Sequence, residues 1–203
     1  MKSIVIRMLL ISAAVAFVPE AVAADTGGGN VFLDAKVGKT FGKGSSSSAG
    51  SQSSWGADGG YLWNLDDRRA LGLELGYQHF GKVSDFGGNF GRDQISASAM
   101  TLGGHLQVLF GDDRAWMFQL RGGLARVMFD DDFTTNFPTP SSGTDSWSET
   151  GIYAGLGIGR ELTRGFSVIL AYDHYDASDN SHGGNGALAL NWIGLAAEYR
   201  FGD

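Results

Sequence analysis

The chain has 203 residues, a net charge of −7 and no cysteine, which excludes a disulfide framework and, without a basic patch, argues against a nucleic-acid partner. Glycine accounts for 32 residues and aromatics for 12%, against only 3 prolines. Past the N-terminus no stretch is apolar for long enough to cross a bilayer as a helix.

The first residues, "MKSIVIRMLLISAAVAFVPEAVAADT", set Lys2 and Arg7 before an apolar run from Met8 to Val18, followed by Ala21-Val22-Ala23. That order is a secretory signal with a small-residue cleavage site. The expected division is a signal peptide over 1–23 and one domain over 24–203. About 180 residues suit a single domain.

Eight segments with two-residue alternation follow: 31–41, 54–63, 70–80, 94–110, 115–129, 149–162, 166–175 and 189–201. Each supplies the ~9–11 residues that a tilted strand needs to cross a bilayer. "NLDDRR" (64–69), "GDDR" (111–114) and "TRG" (163–165) read as tight turns. Between them, 42–53, 81–93, 130–148 and 176–188 read as long polar loops. Short turns alternating with long loops is the pattern of an outer-membrane barrel with the turns on the periplasmic side. The predicted fold is therefore all-β, an eight-stranded antiparallel up-and-down transmembrane β-barrel. Closure is required, because hydrocarbon offers no partner to the amides of an open edge.

The phase of the alternation assigns faces. In the last strand Ile193, Leu195, Ala197, Tyr199 and Phe201 point to lipid, as do Leu71, Leu73 and Leu75 in the third and Leu120 and Leu124 in the fifth. The opposite phase places Asp34, Lys36, Asp58, Glu74, His105, Gln107, Arg121, Asp173, Glu198 and Arg200 inside. So many polar groups in a narrow lumen must pair with one another or with trapped water.

"GGYLWNLDDRRALGLELGYQHFGK" (59–82), "GIYAGLGIGRELTRGFSVILAYDHY" (151–175) and "IGLAAEYRFG" (193–202) resemble the transmembrane domain of the OmpA-like family of small eight-stranded outer-membrane barrels. The resemblance runs from Val31 to Gly202. It implies a location in the Gram-negative outer membrane, contact with membrane lipid and lipopolysaccharide, insertion by the barrel-assembly machinery, and a lumen plugged by a charge network. Glu74 falls on the family's third-strand carboxylate and His105 where the fourth strand usually carries a base. The sixth- and seventh-strand positions fall on Gly159 and Ile169, so half of that network is expected here. Tyr199 and Phe201 correspond to the assembly signal. Many members also carry a periplasmic domain that grips peptidoglycan; the resemblance stops before it, so that activity is not carried over.

Two readings of the lumen follow. In one, Glu74, His105 and Arg121 are structural and satisfy one another; in the other, His105 makes a pH-sensitive plug. His174, Ser178, Ser181 and His182 gather near the fourth long loop, but without the compact nucleophile–base spacing that hydrolysis needs. "DDDF" (130–133) with Asp145 lacks the ligand spacing of a calcium site and reads as a solvated acidic loop. Arg126, outward near the external rim, is placed to meet a lipopolysaccharide phosphate. The function expected is structural or surface-interacting, as a monomer, without catalysis, metal or cofactor, with any extracellular ligand held by the long loops. A narrow low-conductance pore is the alternative, and a lipid A-modifying enzyme the third.

Overall fold

In the computed structural model the described residues are 28–43, 51–88, 91–113, 115–135, 141–178 and 187–202. The signal peptide expected over 1–23 and the tips 44–50 and 179–186 lie outside them. Eight strands run in chain order: β1 (Gly29–Lys43), β2 (Gln52–Asn64), β3 (Arg69–Gly88), β4 (Gly91–Phe110), β5 (Trp116–Thr135), β6 (Ser141–Thr163), β7 (Phe166–Ser178) and β8 (Ala187–Phe201). Each pairs antiparallel with the next, and β8 returns to β1 from Val31↔Phe201 to Lys43↔Ala189. The barrel is closed, so no strand edge is left within it.

Local chemistry explains the tight ends. In the β2–β3 turn the Asp66 carboxylate accepts the N–H groups of Arg68 and Arg69 at 2.9 and 2.8 Å and Arg69 Nε at 2.6 Å. This is the aspartate turn in which a side chain replaces a backbone acceptor. The Arg69 side chain first, and the Arg68 N–H second, hold the Asp66 carboxyl below the usual carboxylate range. In the β6–β7 turn Gly165 has φ +75°, a conformation open to glycine, and its N–H donates to Glu161 at 3.1 Å.

The faces follow the alternation. Leu124 is 59% exposed and Leu195 52%, whereas their neighbours Ala125 and Ala196 are 1% and 2% exposed. Rings form a girdle at each end of the outer surface. Tyr61–Trp63 at 5.1 Å, Tyr199–Phe201 at 4.8 Å and Phe110–Trp116 at 6.4 Å mark the turn end, and Trp55–Tyr77 at 5.6 Å the other. Amphipathic rings favour such interfacial positions.

In two of the four expected long loops, 81–93 and 130–148, the described residues are strand instead. Pairing of β3 with β4 continues to Gly88↔Gly91, and that of β5 with β6 to Thr135↔Ser141. With β4 and β5 also paired throughout, from Phe110↔Trp116 to Gly91↔Thr135, a four-stranded sheet stands above the barrel. Register shifts at His79/Gly81 and Lys82/Ser84 mark where β3 leaves the wall, a bulge that bends and twists the strand. These stretches escaped the alternation because water meets both faces of the standing sheet. No apolar period then marks a strand that backbone pairing makes.

The lumen is not plugged by polar side chains alone. Phe80, Val127, Phe129, Tyr153, Tyr175 and Leu190 form an apolar cluster toward the standing sheet. Met117, Ile169, Ala171, Trp192 and Ala196 form a second cluster, and Phe32, Leu62 and Ala70 a third. An eight-stranded ring is narrow enough for side chains to fill it, and large apolar groups do much of that filling.

Candidate functional site: the charged lumen

Polar residues of the inner face lie between those apolar clusters. Asp34, Lys36, Asp58, Glu74, His105, Gln107, Arg121, Asp173, Glu198 and Arg200 are all buried, and the structure sorts them into three groups.

The first is centred on Arg121 of β5. Its Nη1 donates to Asp58 of β2 at 2.7 Å, and its Nη2 to both oxygens of Asp173 of β7 at 2.7 and 2.9 Å. Lys36 of β1 reaches the same two carboxylates at 2.7 and 3.3 Å, and its ammonium lies 5.6 Å from the centre of the Trp192 ring. Asp34 stands beside Asp58 on one side and Glu198 on the other in the strand register, with Arg121 at 4.0 Å. Like charges on neighbouring strands repel, so the two buried cations hold this carboxylate row together. Replacing Gly155 by a residue with a side chain would drive it into the Asp173 carboxylate, so the β6 wall gives the pair its room.

The second group is Glu74, His105 and Tyr153. Tyr153 O–H donates to Glu74 Oε1 at 2.7 Å, and His105 Nδ1 lies 3.1 Å from Glu74 Oε2. The His105 ring packs edge-on against Phe32 at 5.0 Å. The third group surrounds Glu198, which accepts Gln107 at 3.1 Å and Gln119 at 2.7 Å. Arg200 lies 3.6 Å from Glu198 and 3.0 Å from Glu161.

Of the expected trio Glu74, His105 and Arg121, only the first two meet. Glu74 and His105 meet each other and Tyr153, whereas Arg121 is taken by Asp58 and Asp173. The expectation of half a network also changes. Gly159 and Ile169 are register partners within an apolar stretch, while Asp173, four residues along β7, supplies the charge. Gln119, Tyr153 and Glu161 were not among the residues expected inside. All three share the inward phase of residues already assigned, so strict alternation was the signal that would have found them.

The surface candidates stay apart from this lumen. His174 is half-buried and shares the Asn191 side-chain oxygen with Tyr172, at 2.8 and 2.6 Å. The Ser178 side chain, Ser181 and His182 lie outside the described residues. The acidic run is strand, so its side chains alternate between two faces. Asp132 accepts from Thr144 at 2.9 Å, and Asp145 accepts the Ser146 N–H at 2.8 Å. Arg126 faces outward and donates to Ser148 Oγ at 3.0 Å.

A closed ring with a leucine-rich outer band and a charge-paired interior is a membrane barrel, and the family comparison agrees. The model of the outer membrane protein beta-barrel domain matches residues 8–201. The chain belongs to that family. This outer-membrane barrel resembles in fold Ail, the attachment invasion locus protein of Yersinia pestis, at TM-score 0.53 and 10% identity, over 84% of this chain and 99% of Ail. Neisserial surface protein A superposes at 0.53 and 11% identity, over 86% and 99%. A major outer membrane protein of Thermus thermophilus gives 0.53 and 15% identity, over 86% and 100%. No curated protein matches the sequence. The barrel resides in the cell outer membrane, in contact with its lipid.

Proposed function

We propose that this barrel is a plugged scaffold that carries a protein-contact surface outside the cell, without catalysis. The observation that carries the reading is the four-stranded sheet standing above the barrel. Past Trp55↔His79, β3 pairs only with β4, and before Ile152↔Asp176, β6 pairs only with β5, among the described residues. Both outer edges therefore offer backbone groups to an added strand. Residues 130–135 and 141–150 carry Asp130, Asp131, Asp132, Asp145 and Glu149 and no lysine or arginine. A cationic protein surface suits that charge. The heparin analogue sucrose octasulfate, which Ail binds, is anionic and does not.

Other partners follow from the same body. Arg126 at the outer rim suits a lipopolysaccharide phosphate. Tyr199 and Phe201, exposed at the end of β8, serve the assembly machinery, and the closed ring needs no second copy. The Arg121 cluster and the apolar clusters on either side support a closed lumen over a narrow pore.

Planar-bilayer recording of the refolded protein, beside a lipid A modification assay, tests the plug and the absence of catalysis. Silence in both is expected, and steady conductance or altered lipid A overturns that part. Vesicles carrying the protein should bind polylysine and not heparin. Neutralising Asp130, Asp132 and Asp145 to Asn should remove that binding. Unchanged binding would sink the surface assignment.

A further inference from the structure

At the turn end, which in outer-membrane barrels faces the periplasm, the lumen opens into a cleft of about 570 Å³. Arg68, Arg69, Arg164 and Arg200 line it, with Asp66, Asp67 and Glu161. All three of these carboxylates have partners. Asp66 is held by Arg69 at 2.6 Å and by two turn N–H groups. Glu161 accepts Arg200 at 3.0 Å and the Gly165 N–H at 3.1 Å. The Arg68 and Arg164 guanidiniums, on separate turns, make no ion pair among the described residues. Asn30, Asn64 and Gln107 add amide groups to the wall.

The inner end of the cleft is shut. Arg200 is tied to Glu198 and Gln107, at 3.6 and 3.4 Å, and Met117 is wholly buried beyond them. An anion can therefore enter from the periplasm without passing through. Guanidinium groups present paired N–H donors that match the oxygens of phosphate and carboxylate. Two without an ion pair leave positive charge available at this mouth in a chain of net charge −7. We infer that the periplasmic mouth is a blind, arginine-lined site for a small dianion bearing phosphate or carboxylate groups.

The test is a titration of the refolded, detergent-solubilised chain followed by the NMR resonances of its arginine side chains. Inorganic phosphate and a soluble muramyl tripeptide are added separately at constant ionic strength. A saturable shift with phosphate assigns a phosphate ligand, and one with the tripeptide alone assigns a cell-wall carboxylate. Arg68→Gln with Arg164→Gln should weaken binding at least tenfold, and each single change about threefold. Lys39→Gln, toward the opposite end of the barrel, should leave it unchanged. The single variants carry the test if the double variant does not refold. No saturable shift with either probe, shifts reproduced by chloride alone, or equal affinity in the variants would overturn the site.

Discussion

Between Ala125 and Thr135, strand β5 passes from the barrel into the standing sheet, and the forces on its side chains change. In the barrel Ala125, Val127 and Phe129 are sealed inside, and Leu124 faces lipid. Six residues on, Asp131 is half-buried and Phe133 and Thr135 are exposed. The ladder to β4 and β6 is unbroken throughout. Backbone pairing thus carries the sheet on with few side-chain contacts, whereas side chains hold the barrel through buried charge, lumen packing and lipid contact. What differs is the solvent on each face, and the cost of a substitution should change accordingly along the same strand.

The sharpest break should come from Arg121→Met. It would leave Asp58 and Asp173 with Lys36 alone, a cost of about 3–5 kcal/mol when a buried pair loses one partner. Denaturant titration of the variant refolded in lipid vesicles would measure it. A change below that of any surface variant would mean that the cluster is hydrated, not sealed.

Next, Leu195→Arg sets a guanidinium against hydrocarbon, costing roughly 2–4 kcal/mol near the midplane. Its neighbour Ala196→Ser puts a hydroxyl into the lumen and should cost much less. If the serine were the more damaging, the assignment of the two faces of β8 would be reversed.

Within the lumen, Tyr153→Phe removes the donor to Glu74 Oε1 and leaves a buried carboxylate oxygen unpaired, at about 1–3 kcal/mol. His105 retains its own contact with Glu74, so the loss should stay below that of Arg121→Met. The same titration checks the order of the two.

The mildest effect belongs to the standing sheet. Trp147 stacks on Phe129 at 5.3 Å, and Trp147→Ala should cost about 0.5–1.5 kcal/mol without altering the gel mobility of the folded barrel. Loss of the heat-modifiable folded band in this variant would show that sheet and barrel form one cooperative unit.

The fold was legible because lipid outside and a filled lumen inside impose a period of two on the sequence. Leu71-Gly72-Leu73-Glu74-Leu75 needs no tertiary information to be read. The standing sheet was hidden because stretches such as Asp130-Asp131-Asp132 and Gly143-Thr144-Asp145 have water on both sides. Of the lumen, the sequence showed which side chains turn inward and not which of them meet. Tyr153 was overlooked between Ile152 and Ala154, although their outward phase implies its inward one.

The sequence by itself determined the number of strands, the order of turns and the face of nearly every residue in the barrel body. Those follow from local backbone geometry and from the solvent each face requires. Only the tertiary structure decided that Arg121 clasps Asp58 and Asp173, 63 and 52 residues away along the chain. Contacts across a lumen depend on how far the strands are staggered when the ring closes. That stagger is a property of all eight strands together, and no single strand records it.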